Sequence, residues 1–136
     1  MNQGYSAYKT ANVDTADKGK LIIICYDVAI KHGNLAIEIG NDSTRYEEQV
    51  KHLYKMQDAI SELLSALNMS VGEISNNLYK MYEYMLHRIT TSVVKKDMEP
   101  INEIMKYLDD LRGAWKVAIQ NVKTSPQQSG KLVING

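Results

Sequence analysis

Apolar residues recur at steps of three and four along most of this chain, the spacing that lines one face of a helix. Leu53, Met56, Ile60, Leu63, Leu64 and Leu67 predict an amphipathic helix over about 44–67, with Tyr46, Val50 and Tyr54 on a weaker ridge beside the stripe. Ile74, Leu78, Met81, Tyr82, Met85 and Ile89 predict another over about 73–94, widened by Tyr79, Leu86 and Val93. The most regular pattern runs Ile101, Ile104, Met105, Leu108, Leu111, Trp115, Ala118, Ile119, Val122 and predicts a helix over about 98–122. An earlier segment, about 17–39, breaks the rule of one stripe. Ile22, Ile23, Ile24, Cys25, Tyr26 and Val28 wrap most of its circumference, so that helix is either buried or awaiting a cover.

Breakers separate these segments. Asp17 is a candidate cap for the first helix, and Gly40 supplies a left-handed stop. The loop GNDST offers Asp42 or Ser43 as the next cap, and Asn68 to Gly72 interrupts the second pattern. Asp97 caps the fourth helix, whose first turn tolerates Glu99 and Pro100. Residues 1–16 have no helical period and read as an N-terminal arm, and 124–136, with TSPQQSG, reads as a flexible tail. The expectation is an all-α, antiparallel, up-and-down four-helix bundle over 17–123.

Composition narrows the partners. The 136 residues suit one domain. Sixteen basic and sixteen acidic side chains cancel, which gives no electrostatic drive toward nucleic acid or an anionic membrane. The longest apolar run, Leu21 to Tyr26, is far short of the roughly 20 residues of a spanning helix, so no membrane insertion is expected. A single cysteine excludes an intrachain disulfide and suits a reducing compartment. Nine tyrosines with no phenylalanine change the picture more, because a flat ring with a wet hydroxyl suits contact surfaces.

Candidate chemistry is sparse. Glu48 precedes His52 by four residues and Glu83 precedes His87 by four, spacings that could make metal half-sites but more often make exposed carboxylate–imidazole pairs. The Glu-x-x-His spacing of di-iron bundles occurs nowhere. Cys25 sits in the most apolar stretch with no base identified for it, and no glycine-rich phosphate loop exists. No catalytic residue, metal or cofactor is expected. What remains is surplus apolar surface on the first and third helices, for which three readings stay open: a tightly packed bundle, a homodimer, or a groove for another amphipathic helix. Met69, Met81, Met85, Met98 and Met105 make an adaptable lining for the last.

Several blocks over about residues 3–120 resemble the FliS family and keep the order and spacing of its blocks. They are Tyr5 and Tyr8 with Val13, Thr15 and Ala16; Lys20-Leu21-Ile22 and Tyr26-Asp27; Leu78-Tyr79 with Tyr82 and Tyr84-Met85; and Asp97, Leu111-Arg112 and Trp115. Cys25 stands where leucine is usual, Lys18-Gly19 replaces a proline-containing helix start, and the KLVING ending has no counterpart. The resemblance implies a cytoplasmic chaperone without catalysis. Such a protein binds the disordered C-terminal segment of flagellin, blocks its premature polymerisation and delivers it to the flagellar type III export gate. It also implies a cargo surface along helix grooves, for which Leu21, Ile24, Val28, Tyr79, Tyr82 and Met85 are the candidates, with Tyr5 and Tyr8 as lid or cargo contact. A homodimer in the absence of cargo is the further state considered.

Overall fold

In the computed structural model, residues 15–124 are described. They form four helices: α1 Thr15–Ile39, α2 Tyr46–Ser65, α3 Glu73–Lys95 and α4 Glu99–Thr124. Single 3-10 turns at Ser43–Arg45 and Met69–Val71 lie in the first two connections. Each helix packs mainly on its two neighbours, in the ring α1–α2–α3–α4. Short connections make successive helices antiparallel, so this is an all-α four-helix bundle. The first turns of α1, the α2–α3 connection and the last turns of α4 share one end of it.

The elements stop where their residues demand. Gly40 takes a φ of +61° after α1, and Lys96 takes +54° after α3, a conformation uncommon for a side chain with a Cβ. Asp42 Oδ1 accepts from the Thr44 backbone N–H at 3.1 Å and so caps the 3-10 turn before α2. Asp97 Oδ1 accepts from the Glu99 N–H at 3.0 Å at the head of α4. Asp17 does not start α1: the helix begins at Thr15, so Asp17 lies inside its first turn.

The expected stripes form the core. Tyr26, Leu53, Met56, Ile60, Tyr82, Met85, Ile89, Ile101, Ile104 and Leu108 are all essentially inaccessible. Met98 and Met105 join them, which removes these two and Met85 from any surface lining. Neighbouring side chains close in on Gly33, where a Cβ would overlap the Met105 sulfur and lie 3.0 Å from the Met56 methyl. Glycine there lets α1 lie against side chains from both α2 and α4. Gln49, the one buried amide of α2, donates to the carbonyls of Ala36 and Gly40, each at 2.9 Å, and so satisfies the C-terminal turn of α1.

Candidate functional site

The residues that carry the family resemblance meet in three dimensions. Tyr26 of α1 and Tyr82 of α3 are buried and their hydroxyls are 2.6 Å apart. Burial pushes the titration of both phenols upward, and the Trp115 indole beside them works in the opposite direction. Both therefore stay protonated, and the pair is a neutral hydrogen bond across the core. One residue along, Asp27 Oδ1 accepts from Arg112 Nε at 2.6 Å, which clasps α1 to α4 across 85 residues of sequence.

That clasp divides the α1–α4 seam. On the side away from the chain termini, the seam is filled, with Gly33 against Met105. On the other side it opens into a groove of about 440 Å³. Ile23 and Ile24 of α1 and Ile119 of α4 form its apolar surfaces, Lys20 and Lys116 stand on its two walls, and Gly19 and Gln120 complete the end nearest the termini. Ile24 is 41% exposed, unusual for a large aliphatic in the middle of a helix. Gly19 matters here because a Cβ at that position would lie 3.1 Å from the Ile119 side chain. The lysine–glycine pair that departs from the family pattern thus lets Ile119 settle onto α1.

On the other flank of α1, a shallower apolar cleft runs between Leu21, Ile22 and Cys25 and the Leu63–Ala66 turn of α2. The first three turns of α1 therefore border two apolar depressions, one toward each neighbouring helix. This accounts for a segment whose hydrophobic residues wrap its circumference.

The candidate surface residues do not form one surface. α1 and α3 lie on a diagonal of the bundle, each packing mainly on α2 and α4 rather than on the other. Ile24 lines the α1–α4 groove and Leu21 borders the α2-side cleft, itself only 4% exposed. Val28 and Tyr79 are half-buried. Tyr82 and Met85 are in the core, at 1% and 0% exposure, and are unreachable while the bundle is closed. Tyr5 and Tyr8 lie outside the described residues. Gly19, Lys20, Ile23, Lys116 and Ile119 were not among the candidates; periodicity marks each as apolar or polar, but only the pairing of α1 with α4 brings them together.

The other polar clusters have structural partners. Tyr46 donates to the Val93 carbonyl at 2.7 Å and its ring lies under Lys96 Nζ at 4.8 Å, so it ties α2 to the end of α3. Tyr84 and Arg88 of α3 converge on Glu103 of α4 at 2.7 and 2.9 Å. These bonds hold the Glu103 carboxyl below the usual carboxylate range. Glu48 lies 3.9 Å from His52, while His52 Nδ1 meets His32 Nδ1 at 2.9 Å across α1 and α2. Among the described residues no group of three or more histidine, cysteine or carboxylate side chains could hold a metal ion. No helix among them is long and apolar enough to cross a membrane.

The family model described as flagellar protein FliS matches residues 1–122. The chain belongs to the FliS family. It is 35% identical over 129 residues to the flagellar secretion chaperone FliS of Bacillus subtilis (strain 168), covering 94% of this chain and 95% of that one. It is 28% identical over 123 residues to the protein of the same name in Vibrio cholerae, with 85% and 88% covered. Against the one in Salmonella typhimurium it is 26% identical over 120 residues, with 83% and 87% covered. Within the FliS family frame, Tyr26–Tyr82 and Asp27–Arg112 are the bonds that register three helices, and the groove is the surface this registration leaves uncovered.

Proposed function

We propose that this chain is a non-enzymatic flagellar export chaperone that holds the C-terminal segment of flagellin in the α1–α4 groove. The reading places it in the cytoplasm, where it keeps the segment from polymerising and delivers the complex to the type III export gate. The observation that carries the proposal is the open apolar seam around Ile24 on a member of this family. A segment that folds only on binding loses ordering entropy, so it needs a large apolar contact to bind well. The α1–α4 groove supplies apolar surface for such a contact. Tyr5 and Tyr8 are the two aromatic residues of the arm that precedes the groove-lining turns of α1, and they are assigned to a lid over the groove or to the cargo contact.

Titration calorimetry of the purified chain against a flagellin C-terminal segment tests this. Ile24→Asp puts a charge on the groove wall without touching the core, and the affinity is expected to fall at least about tenfold. Unchanged affinity would remove the groove from the binding surface. Light scattering on the same samples supplies the rival outcome: a stable dimer that ignores the segment assigns the apolar seam to self-association instead.

A further inference from the structure

The groove is apolar inside and basic at both rims. Ile23, Ile24 and Ile119 line it, while Lys20 rises from the α1 wall and Lys116 from the α4 wall. Both lysines are exposed, and among the described residues neither is in an ion pair. Among the described residues no lysine is in an ion pair, whereas the arginines are. Arg45, Arg88 and Arg112 each have a carboxylate partner, Glu48, Glu103 and Asp27, at 2.6–2.9 Å. The lining of this groove holds these two cations and no carboxylate, a local positive charge in a chain whose sixteen basic and sixteen acidic residues cancel.

The geometry points to a definite occupant: we propose that the groove takes an amphipathic helix bordered on both sides of its apolar stripe by acidic residues, with Lys20 and Lys116 setting that preference. The inference rests on reading the groove as the cargo site. A helix that lays its apolar face into the groove brings the residues flanking the stripe level with the two rims. Lysine suits this place, since its stem covers apolar surface while the ammonium stays in water beside the incoming helix. Rim charges of this kind mainly choose among partners and speed encounter.

Two synthetic helical peptides with one shared leucine stripe, flanked in one by glutamates and in the other by lysines, test the idea on the full chain. The glutamate-flanked peptide is expected to bind about tenfold tighter at low salt. The difference should shrink in about 1 M salt, where screening acts within roughly 3 Å. The double variant Lys20→Glu with Lys116→Glu is expected to reverse the order. Lys20→Gln with Lys116→Gln should abolish it and serves as a milder substitution if the reversal perturbs folding, which circular dichroism monitors. Equal binding of both peptides by the unaltered chain, or an order unmoved by either double variant, overturns the inference. A flagellin C-terminal segment measured alongside separates the two readings. If it binds the unaltered chain while the two peptides bind that chain equally, the charge preference fails and the cargo site stands. If it does not bind while the glutamate peptide does, the flagellin reading fails and the charge preference stands.

Discussion

The two halves of the α1–α4 seam are built from the same pair of helices and behave differently. Beyond the Asp27–Arg112 clasp, Gly33 brings α1 against Met105 and Met56, and no space is left. Before the clasp, toward the chain termini, Ile23, Ile24 and Ile119 border an open groove. Both halves have an apolar seam and both contain a glycine of α1, so composition does not separate them. What differs is the partner side chain. Met105 fills its half, being long and unbranched, whereas the other half has one aliphatic wall per helix and lysines where further apolar residues would close it. A bundle can thus be rigid along one stretch of a seam and receptive along the next.

The sharpest way to break this comparison is to add the same kind of atoms to both glycines. Gly33→Leu has nowhere to put its side chain, and a fall of about 3 kcal/mol in unfolding free energy is expected. Gly19→Ala meets only the Ile119 side chain, at 3.1 Å, which can swing into the open groove. The helix-propensity gain of up to about 1 kcal/mol then offsets the contact, and stability should move little. Urea unfolding of the two variants checks this. Equal losses would mean that the groove half is packed as firmly as the filled half.

A smaller effect is expected at the hydrogen bond that registers α1 on α3. Tyr26→Phe keeps the ring and removes one hydroxyl, which takes from the buried Tyr82 oxygen its 2.6 Å partner. The loss should be about 1–2 kcal/mol, read from the urea midpoint. Tyr82→Phe should cost a similar amount, and the double variant less than the sum of the two, because the two hydroxyls share one hydrogen bond that either substitution already removes.

Much of the bundle was legible because a helix stripe is a local pattern. The runs Leu53–Leu67 and Ile101–Trp115 mark their inward faces within a few turns, and Gly40 and Asp97 mark ends by chemistry that acts over two to four residues. The groove was legible only in part. Periodicity told that α1 has too much apolar surface, but not which neighbour that surface meets. The first and third helices sit on a diagonal, a placement that periodicity does not reveal. Tyr82 and Met85 look the same as surface residues in a stripe wider than one interface needs, yet the structure spends both on the core. Pairings such as Asp27–Arg112, Gln49 with the end of α1, and His32–His52 join residues with no local rule between them.

The last of these pairings gives the filled side of the molecule a pH dependence. His32 and His52 share one hydrogen bond, Nδ1 to Nδ1 at 2.9 Å, with rings 5.1 Å apart. Such a bond holds one proton between the nitrogens; a proton on both would set N–H against N–H. Burial, then the neighbouring His52, Lys31 and Lys55, lower the His32 titration below its ordinary 6.5. Glu48, 3.9 Å from His52 Nε2, is the nearby carboxylate on α2. Above about pH 6.5 both folded and unfolded chains keep His32 neutral, and its contribution to stability is fully present. Below that, the unfolded chain takes up a proton that the folded chain resists, so stability falls as pH drops through the lowered folded value. The urea midpoint should therefore decline between pH 7.5 and 5.5, and His32→Gln, which has no charge to gain, should flatten that decline. If the variant follows the same pH profile as the unaltered chain, the imidazole pair contributes nothing to the acid sensitivity of the α1–α2 interface.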